Sequence, residues 1–282
     1  MSKKNLLLIF ILGGLCLYGC GGKCKSTNNY ICYDESEKEV EESKILPPSG
    51  KLVIGEKLSY KVSWLGISVG QATLIVKDTE KIDGQQTALV ELTASTTGFF
   101  RMIYKVDGII HSYVNLDNLQ PIKYDSDTRI NKKIIEKKMK YNFKDKKVFA
   151  EDKKGKYVID ITDDTLDPLG VFYYFRKNNV IFNEPIDILV NGGKKNFPVR
   201  VSITSERMIR IPSGSFWAFQ IEPTPESERQ FDDALNAEGS MRIWFSADER
   251  RLPLLIALRV PVGSAIATLM SVEYAESSLT HN

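Results

Sequence analysis

His111 and His281 are the two imidazole bases in the 282 residues. A serine or cysteine nucleophile needs a base in hydrogen-bond reach, itself oriented by a third group. His111 falls in a segment of strand periodicity and His281 in the polar tail, so a histidine-based triad has almost no material. The carboxylate pairs Asp163-Asp164, Asp232-Asp233 and Asp248-Glu249 are raw material for a glycosidase, which needs two acids facing each other across roughly 5–10 Å. Adjacent acids in turn-like stretches are usually only solvated, and Asp248-Glu249-Arg250-Arg251 reads most simply as a hairpin turn. Hydrolysis of envelope glycan is therefore the weakest functional alternative. Gly192-Gly193 reads as a turn rather than a phosphate cradle. Neither histidine stands at a ligand spacing from a cysteine pair, so no metal and no cofactor are expected.

Cys20 is placed for covalent modification. Lys3 and Lys4 precede the apolar run 6–12 and then Gly13-Gly14-Leu15-Cys16, the charged-then-apolar layout of a secretory signal, and the run is too short to span a bilayer. Leu17-Tyr18-Gly19-Cys20 resembles the lipobox of bacterial lipoproteins, in which the thiol is acylated and the chain is cut just before it. Tyr18 departs from the small residue usual there. Cys16 has Gly13 where the lipobox has a branched apolar residue, so Cys20 is the expected first residue of the mature chain and 1–19 the signal peptide. Two or three acyl chains, at about 0.8 kcal/mol per buried methylene, make a stable anchor. Gly21 is not the aspartate that commonly retains lipoproteins at the inner membrane, which by resemblance points to the outer membrane, facing the periplasm. In an oxidising compartment Cys24 and Cys32 are candidates for a disulfide, which would close a small loop in the tether.

Residues 20–50 form that tether. The stretch is polar, acidic over 34–42, and ends Pro47-Pro48-Ser49-Gly50, with nothing able to bury a face. Net charge is +2, and a genome-binding role has neither the compartment nor the charge it needs. The informative charged feature is local. Lys132, Lys133, Lys137, Lys138 and Lys140 interleave with apolar residues on strand-like sequence. One reading is attraction to anionic lipid headgroups or lipopolysaccharide phosphates; the other is a solvated outer face that discourages edge aggregation, which Glu136, Asp145, Glu151 and Asp152 favour by partly cancelling the run.

From residue 51 to 276 the dominant period is two. Leu58, Tyr60, Val62 and Trp64 alternate with Lys57, Ser59, Lys61 and Ser63, the signature of a strand with one buried and one wet face. Further strands follow at short intervals, joined by turns such as Asp83-Gly84 and Asn191-Gly192-Gly193. Neighbouring strands should pair antiparallel. Asp167 can cap a helix with Pro168 at its first position, so Leu169–Lys177 is expected to be a short helix packing Phe172, Tyr173 and Phe175 on the sheet. Residues 226–238 lack a strand period and read as a flap, and 277–282 as a disordered tail. The expected architecture is mainly β: a single large curved antiparallel sheet or half-barrel with one short helix against it.

A resemblance reinforces this. Gly55-Glu56-Lys57-Leu58-Ser59-Tyr60, Trp64-Leu65-Gly66-Ile67-Ser68-Val69-Gly70, Ser95-Thr96-Thr97-Gly98-Phe99-Phe100, Asp167-Pro168-Leu169 with Tyr173-Tyr174-Phe175-Arg176, Ile211-Pro212-Ser213-Gly214-Ser215-Phe216 and Trp244-Phe245-Ser246-Ala247-Asp248 resemble, in order over 52–274, the bacterial domain-of-unknown-function 3108 family. The resemblance implies an exported or lipoprotein β domain and supplies no catalytic positions; a fold like that of periplasmic lipoprotein carriers is the implied analogy. If the sheet curls, Trp64, Phe172, Tyr173, Phe175, Trp217 and Trp244 are candidates to line an apolar pocket, where the alternative is that they simply fill the core. The expected function is non-enzymatic: a lipid-anchored envelope protein binding a lipid or acyl chain, with a structural or protein-interaction module of the envelope as runner-up.

Overall fold

Apolar–polar alternation gives most strands a wet face and a dry face. The computed structural model describes residues 45–46, 52–178, 180–182, 184–225, 241–259 and 263–275; Cys20, Cys24, Cys32, the 226–238 stretch and the 277–282 tail lie outside them. The strands are β1 (Ile45–Leu46), β2 (Lys57–Trp64), β3 (Ile67–Ile82), β4 (Gln85–Thr96), β5 (Val106–Asn115), β6 (Pro121–Ile130), β7 (Lys133–Asn142), β8 (Lys147–Asp152), β9 (Gly155–Asp160), β10 (Thr165–Leu166), β11 (Val180–Ile181), β12 (Ile186–Asn191), β13 (Asn196–Ile211), β14 (Gly214–Pro225), β15 (Met241–Ser246), β16 (Pro253–Arg259) and β17 (Ser264–Glu273). The helices are α1 (Gly98–Ile103) and α2 (Gly170–Lys177).

In β2 the pattern becomes burial directly: Leu58, Tyr60 and Val62 are buried and Lys61 is exposed. Two-residue hairpin loops match strand twist when both residues take positive φ. Leu65-Gly66 (φ 48° and 80°) and Asp83-Gly84 (50° and 81°) do so, closing β2 on β3 and β3 on β4.

Among the described residues fifteen strands form one sheet in the order β10-β12-β13-β14-β15-β16-β17-β2-β3-β4-β5-β6-β7-β8-β9, while β1 and β11 pair separately. All pairings in the large sheet are antiparallel except β10 with β12, which are parallel. The exception has a topological cause, since α2 lies between those strands and carries the chain back to run in the same direction. The β1 pairing falls within the 20–50 stretch read as tether: Ile45 and Leu46 find partners in Ile181 and Val180.

The sheet curls far enough for its two ends to meet. Asn196 at the start of β13 donates through Nδ2 to the carbonyl of Asp160 at the end of β9 (2.6 Å), and Lys194 lies 2.8 Å from Asp152 of β8. Side chains bridge this seam where a closed barrel would have a backbone ladder, so the result is a barrel-like sheet left open, in keeping with the half-barrel expectation.

Helix α2 closes on the inner face and is held at both ends. Asp167 Oδ1 accepts from the N–H groups of Leu169 (2.8 Å) and Gly170 (2.7 Å), satisfying donors that a helix start leaves unpaired. At the other end the buried Arg251 donates to the carbonyls of Phe175 (2.8 Å) and Asn178 (2.7 Å), a cation where the helix dipole is negative. Arg176 makes a two-pronged ion pair with Glu56 (2.5 and 2.8 Å), both side chains being almost fully buried. Phe175 packs on Phe245, which stacks on Phe219 of β14.

Two local features differ from the periodicity reading. Residues 196–211 form one strand, whose period of two is broken by a register shift between Ile203 and Ser205. A bulge disrupts period two without ending the strand. Helix α1, six residues long, was not expected, because it is too short to show a helical repeat.

Candidate apolar cavity and seam

The inner face holds a cavity of about 120 Å³ between β2–β6, β16, β17 and the N-terminal turn of α2. Its shape follows from a row of small residues. Ala72, Ala94, Gly108 and Thr128 are successive cross-strand partners on β3, β4, β5 and β6, and all four line the space. Leu74, Leu92, Ile110, Leu169 and Phe172 lie toward one end of it. At the other end Val62, Ala94, Val106 and Ala265 stand within two residues of the strand ends at Trp64, Thr96, Val106 and Ser264.

The lining is apolar apart from two hydroxyls. Tyr60 is satisfied, donating to the carbonyl of Pro253 (2.8 Å), and burial drives its phenol well above its ordinary pKa. Thr128 Oγ1 is buried with no hydrogen-bond partner among the described residues. A buried hydroxyl without a partner is rare and costs roughly 1–3 kcal/mol. A Cβ built on Gly108 would sit 3.3 Å from that oxygen, so glycine there keeps the approach open. The space resembles in scale the ~150 Å³ apolar cavities that stay dry and admit a benzene ring, and falls short of the ~300 Å³ typical of sites for drug-sized ligands. It therefore accommodates the end of one apolar chain and not a whole lipid.

Of the aromatics singled out in the sequence, Phe172 alone lines this cavity. Tyr173, Phe175 and Trp244 are buried in the core. Trp64 lies edge-on to Phe100 at 6.3 Å beside α1, and Trp217 borders a separate surface groove with Phe216 and Arg250. The lining missed by sequence reading is the row of small residues. The signal was present: alanines and a glycine at inward positions of strands, where β-branched residues are favoured.

The lysines divide as well. Lys138 and Lys140 face outward, with Lys140 3.0 Å from Asp83, and Lys132 sits exposed in the β6–β7 turn. Lys133 is half-buried at the start of β7. Lys137 turns inward to the seam, donating to the carbonyl of Gly192 (2.5 Å) near the Lys194–Asp152 pair. The five thus do not share one face.

Burial lowers the Lys137 ammonium to about 8, against the attraction of Asp152 and with the help of Lys194. Between that value and the ordinary ~10.4 the unfolded chain binds the extra proton, so folding stability contributed by this group rises with pH. Relative to Lys137→Met, wild type is expected to gain stability as pH is raised from 8 toward 10, a trend read from urea midpoints; a difference flat with pH would contradict it.

The candidate catalytic groups are elsewhere. His111 Nε2 lies 2.7 Å from Glu91 on the outer face, opposite the cavity by strand alternation. Asp248 sits in the β15–β16 turn, engaged by Ser246 and Arg250. Asp163 and Asp164 lie in the stretch between β9 and β10. Asp167 is buried against Ser112 and the start of α2, and burial pushes its carboxyl up against the lowering effect of those donors. Among the described residues no group of three or more His, Cys, Asp or Glu could hold a metal ion, and no helix is long and apolar enough to cross a membrane.

The chain is similar in structure to a β-barrel-like protein of domain of unknown function DUF1849 from Brucella abortus, with a TM-score of 0.51 and 12% identity, over 80% of this chain and 100% of that one. A second solved structure, a protein classed as exported with a YmcC-like fold from Bacteroides fragilis, aligns at a TM-score of 0.34 and 7% identity, over 81% of this chain and 99% of that one. The first supports a barrel-like fold and no activity. No curated protein matches the sequence. The family described as protein of unknown function (DUF3108) matches residues 59–270, and the chain belongs to that family.

Proposed function

We propose that this is a non-enzymatic, lipid-anchored envelope protein that takes the end of an acyl chain into the inner cavity. The observation that carries the reading is the Thr128 hydroxyl, which has no partner among the described residues, in a lining that is otherwise apolar or satisfied. Few polar groups in an apolar pocket are what fixes a ligand's orientation. Thr128 is two residues from the end of β6, and the aliphatic residues around Leu169 lie deeper. A ligand whose acceptor lies only a few carbons from its apolar end, such as a short acyl carbonyl, would bond Thr128 and run that end toward Phe172. The layout of residues 3–20 supports export and lipidation at Cys20, and Gly21 supports the outer membrane.

The test is titration with a fluorescent acyl probe. Ala94→Leu fills the row of small residues and is expected to weaken binding at least about tenfold. Overpacking there costs about 1–3 kcal/mol of stability, so folding is checked by far-UV circular dichroism. Thr128→Val keeps the volume and removes the hydroxyl; it is expected to weaken a carbonyl-bearing probe about fivefold, the worth of one ~1 kcal/mol hydrogen bond, and to leave a hydrocarbon probe unchanged. Binding indifferent to both variants would overturn the reading.

A second reading has one observation in its favour. Phe149 and Val158, cross-strand partners on β8 and β9, are 49% and 61% exposed. An apolar pair on an edge hairpin suits a protein partner.

A further inference from the structure

One end of the sheet presents apolar side chains to solvent. Leu65 and Ile67 at the β2–β3 turn are 49% and 56% exposed, and Phe99, Met102 and Ile103 of α1 are 67%, 84% and 48% exposed. These elements are contiguous. Thr97 donates its N–H to the carbonyl of Val69 (3.0 Å), and Trp64 packs edge-on against Phe100, which packs edge-on against Phe99. Helix α1 has no buried residue. A six-residue helix is too short to be stable alone and normally exists to bury an apolar face. This one fully buries no residue: Phe100 packs on Trp64, and Phe99, Met102 and Ile103 are held outward.

The charges around it are mostly basic. Lys61, Lys105, Lys132 and Arg259 are exposed on strands and turns at this end, while Asp107 is held by Arg101 at 2.6 and 3.0 Å with Lys105 at 3.9 Å, and Asp127 is paired with Arg129 at 3.3 Å. Apolar side chains ringed by cations complement one surface in both respects, an anionic lipid interface, where acyl boundaries receive the first and headgroup phosphates the second. Trp64, half-buried between them, is a residue type suited to such a boundary.

We infer that this tip, formed by Leu65, Ile67, Phe99, Met102 and Ile103, inserts into the interface of an anionic lipid bilayer. The inference goes beyond the cavity reading and does not need it, although the cavity's outer lining at Val62, Ala94 and Val106 lies at the same end of the sheet. A tether would hold the domain near a membrane; the tip fixes which end faces it.

The test is hydrogen exchange by mass spectrometry on the full chain bound to vesicles of phosphatidylglycerol and phosphatidylcholine. Amides in peptides covering residues 64–69 and 97–105 are expected to exchange at least about tenfold more slowly on vesicles than in solution. The β3–β4 turn at Asp83-Gly84, at the opposite end of the strands, should be unchanged. Phe99→Asp/Met102→Asp is expected to lose tip protection while the protein stays vesicle-bound through its anchor and its core amides stay protected. Two results would overturn the inference: no tip protection on vesicles that carry bound protein, or equal protection on concentrating the protein without vesicles, which would mean that a second copy covers the tip. Neither bears on acyl-probe binding, so failure here is separable from failure of the cavity reading.

Discussion

Replacing Arg176 by methionine should lower the unfolding free energy by about 3–5 kcal/mol, because it strands the Glu56 carboxylate in a site from which water is almost wholly excluded. Breaking a buried pair costs far more than the pair itself contributes. The double variant Glu56→Leu/Arg176→Met should therefore recover much of the loss, and a double-mutant cycle on chemical denaturation midpoints measures the coupling. A single-variant cost under about 1 kcal/mol would mean that the guanidinium and carboxylate are hydrated. The consequence reaches the cavity, since Arg176 anchors the helix whose first turn supplies its floor through Leu169 and Phe172.

Phe245→Ala should have an effect of similar size, about 3–5 kcal/mol, through lost burial and the void left behind. Phe245 is fully buried, stacked on Phe219 at 5.7 Å and tilted on Phe175 at 5.9 Å, so one ring joins β15, β14 and α2. Thermal unfolding reads the loss. Combined with Arg176→Met the cost should be less than the sum, because each change releases the same helix and the second then has less to lose. Strict additivity would show that the ring and the ion pair stabilise independent units.

What the sequence made legible was whatever local chemistry decides. Period-two alternation located the strands, Asp83-Gly84 marked a hairpin loop, and Asp167 followed by Pro168 announced the start of α2, where its carboxylate caps two amides. What it hid was decided at a distance. The parallel pairing of β10 and β12 depends on where α2 delivers the chain, and the seam joins residues such as Asp160 and Asn196 only once the sheet has curled. The candidate site was hidden for a related reason. Large aromatics attract attention as pocket linings, yet Tyr173, Phe175 and Trp244 fill space, whereas a cavity is made by what is missing. Ala72, Ala94, Gly108 and Thr128 are unremarkable in sequence, separated by 22, 14 and 20 positions, and become one row only through strand register.

The most direct test of the cavity reading is native mass spectrometry of the protein purified from an envelope extract in a mild detergent, compared before and after lipid extraction. The account predicts one acyl-bearing molecule per chain, removed by extraction and absent from Ala94→Leu purified in the same way. A clean mass for the wild-type chain despite abundant lipid in the extract, or the same adduct on Ala94→Leu, would contradict it.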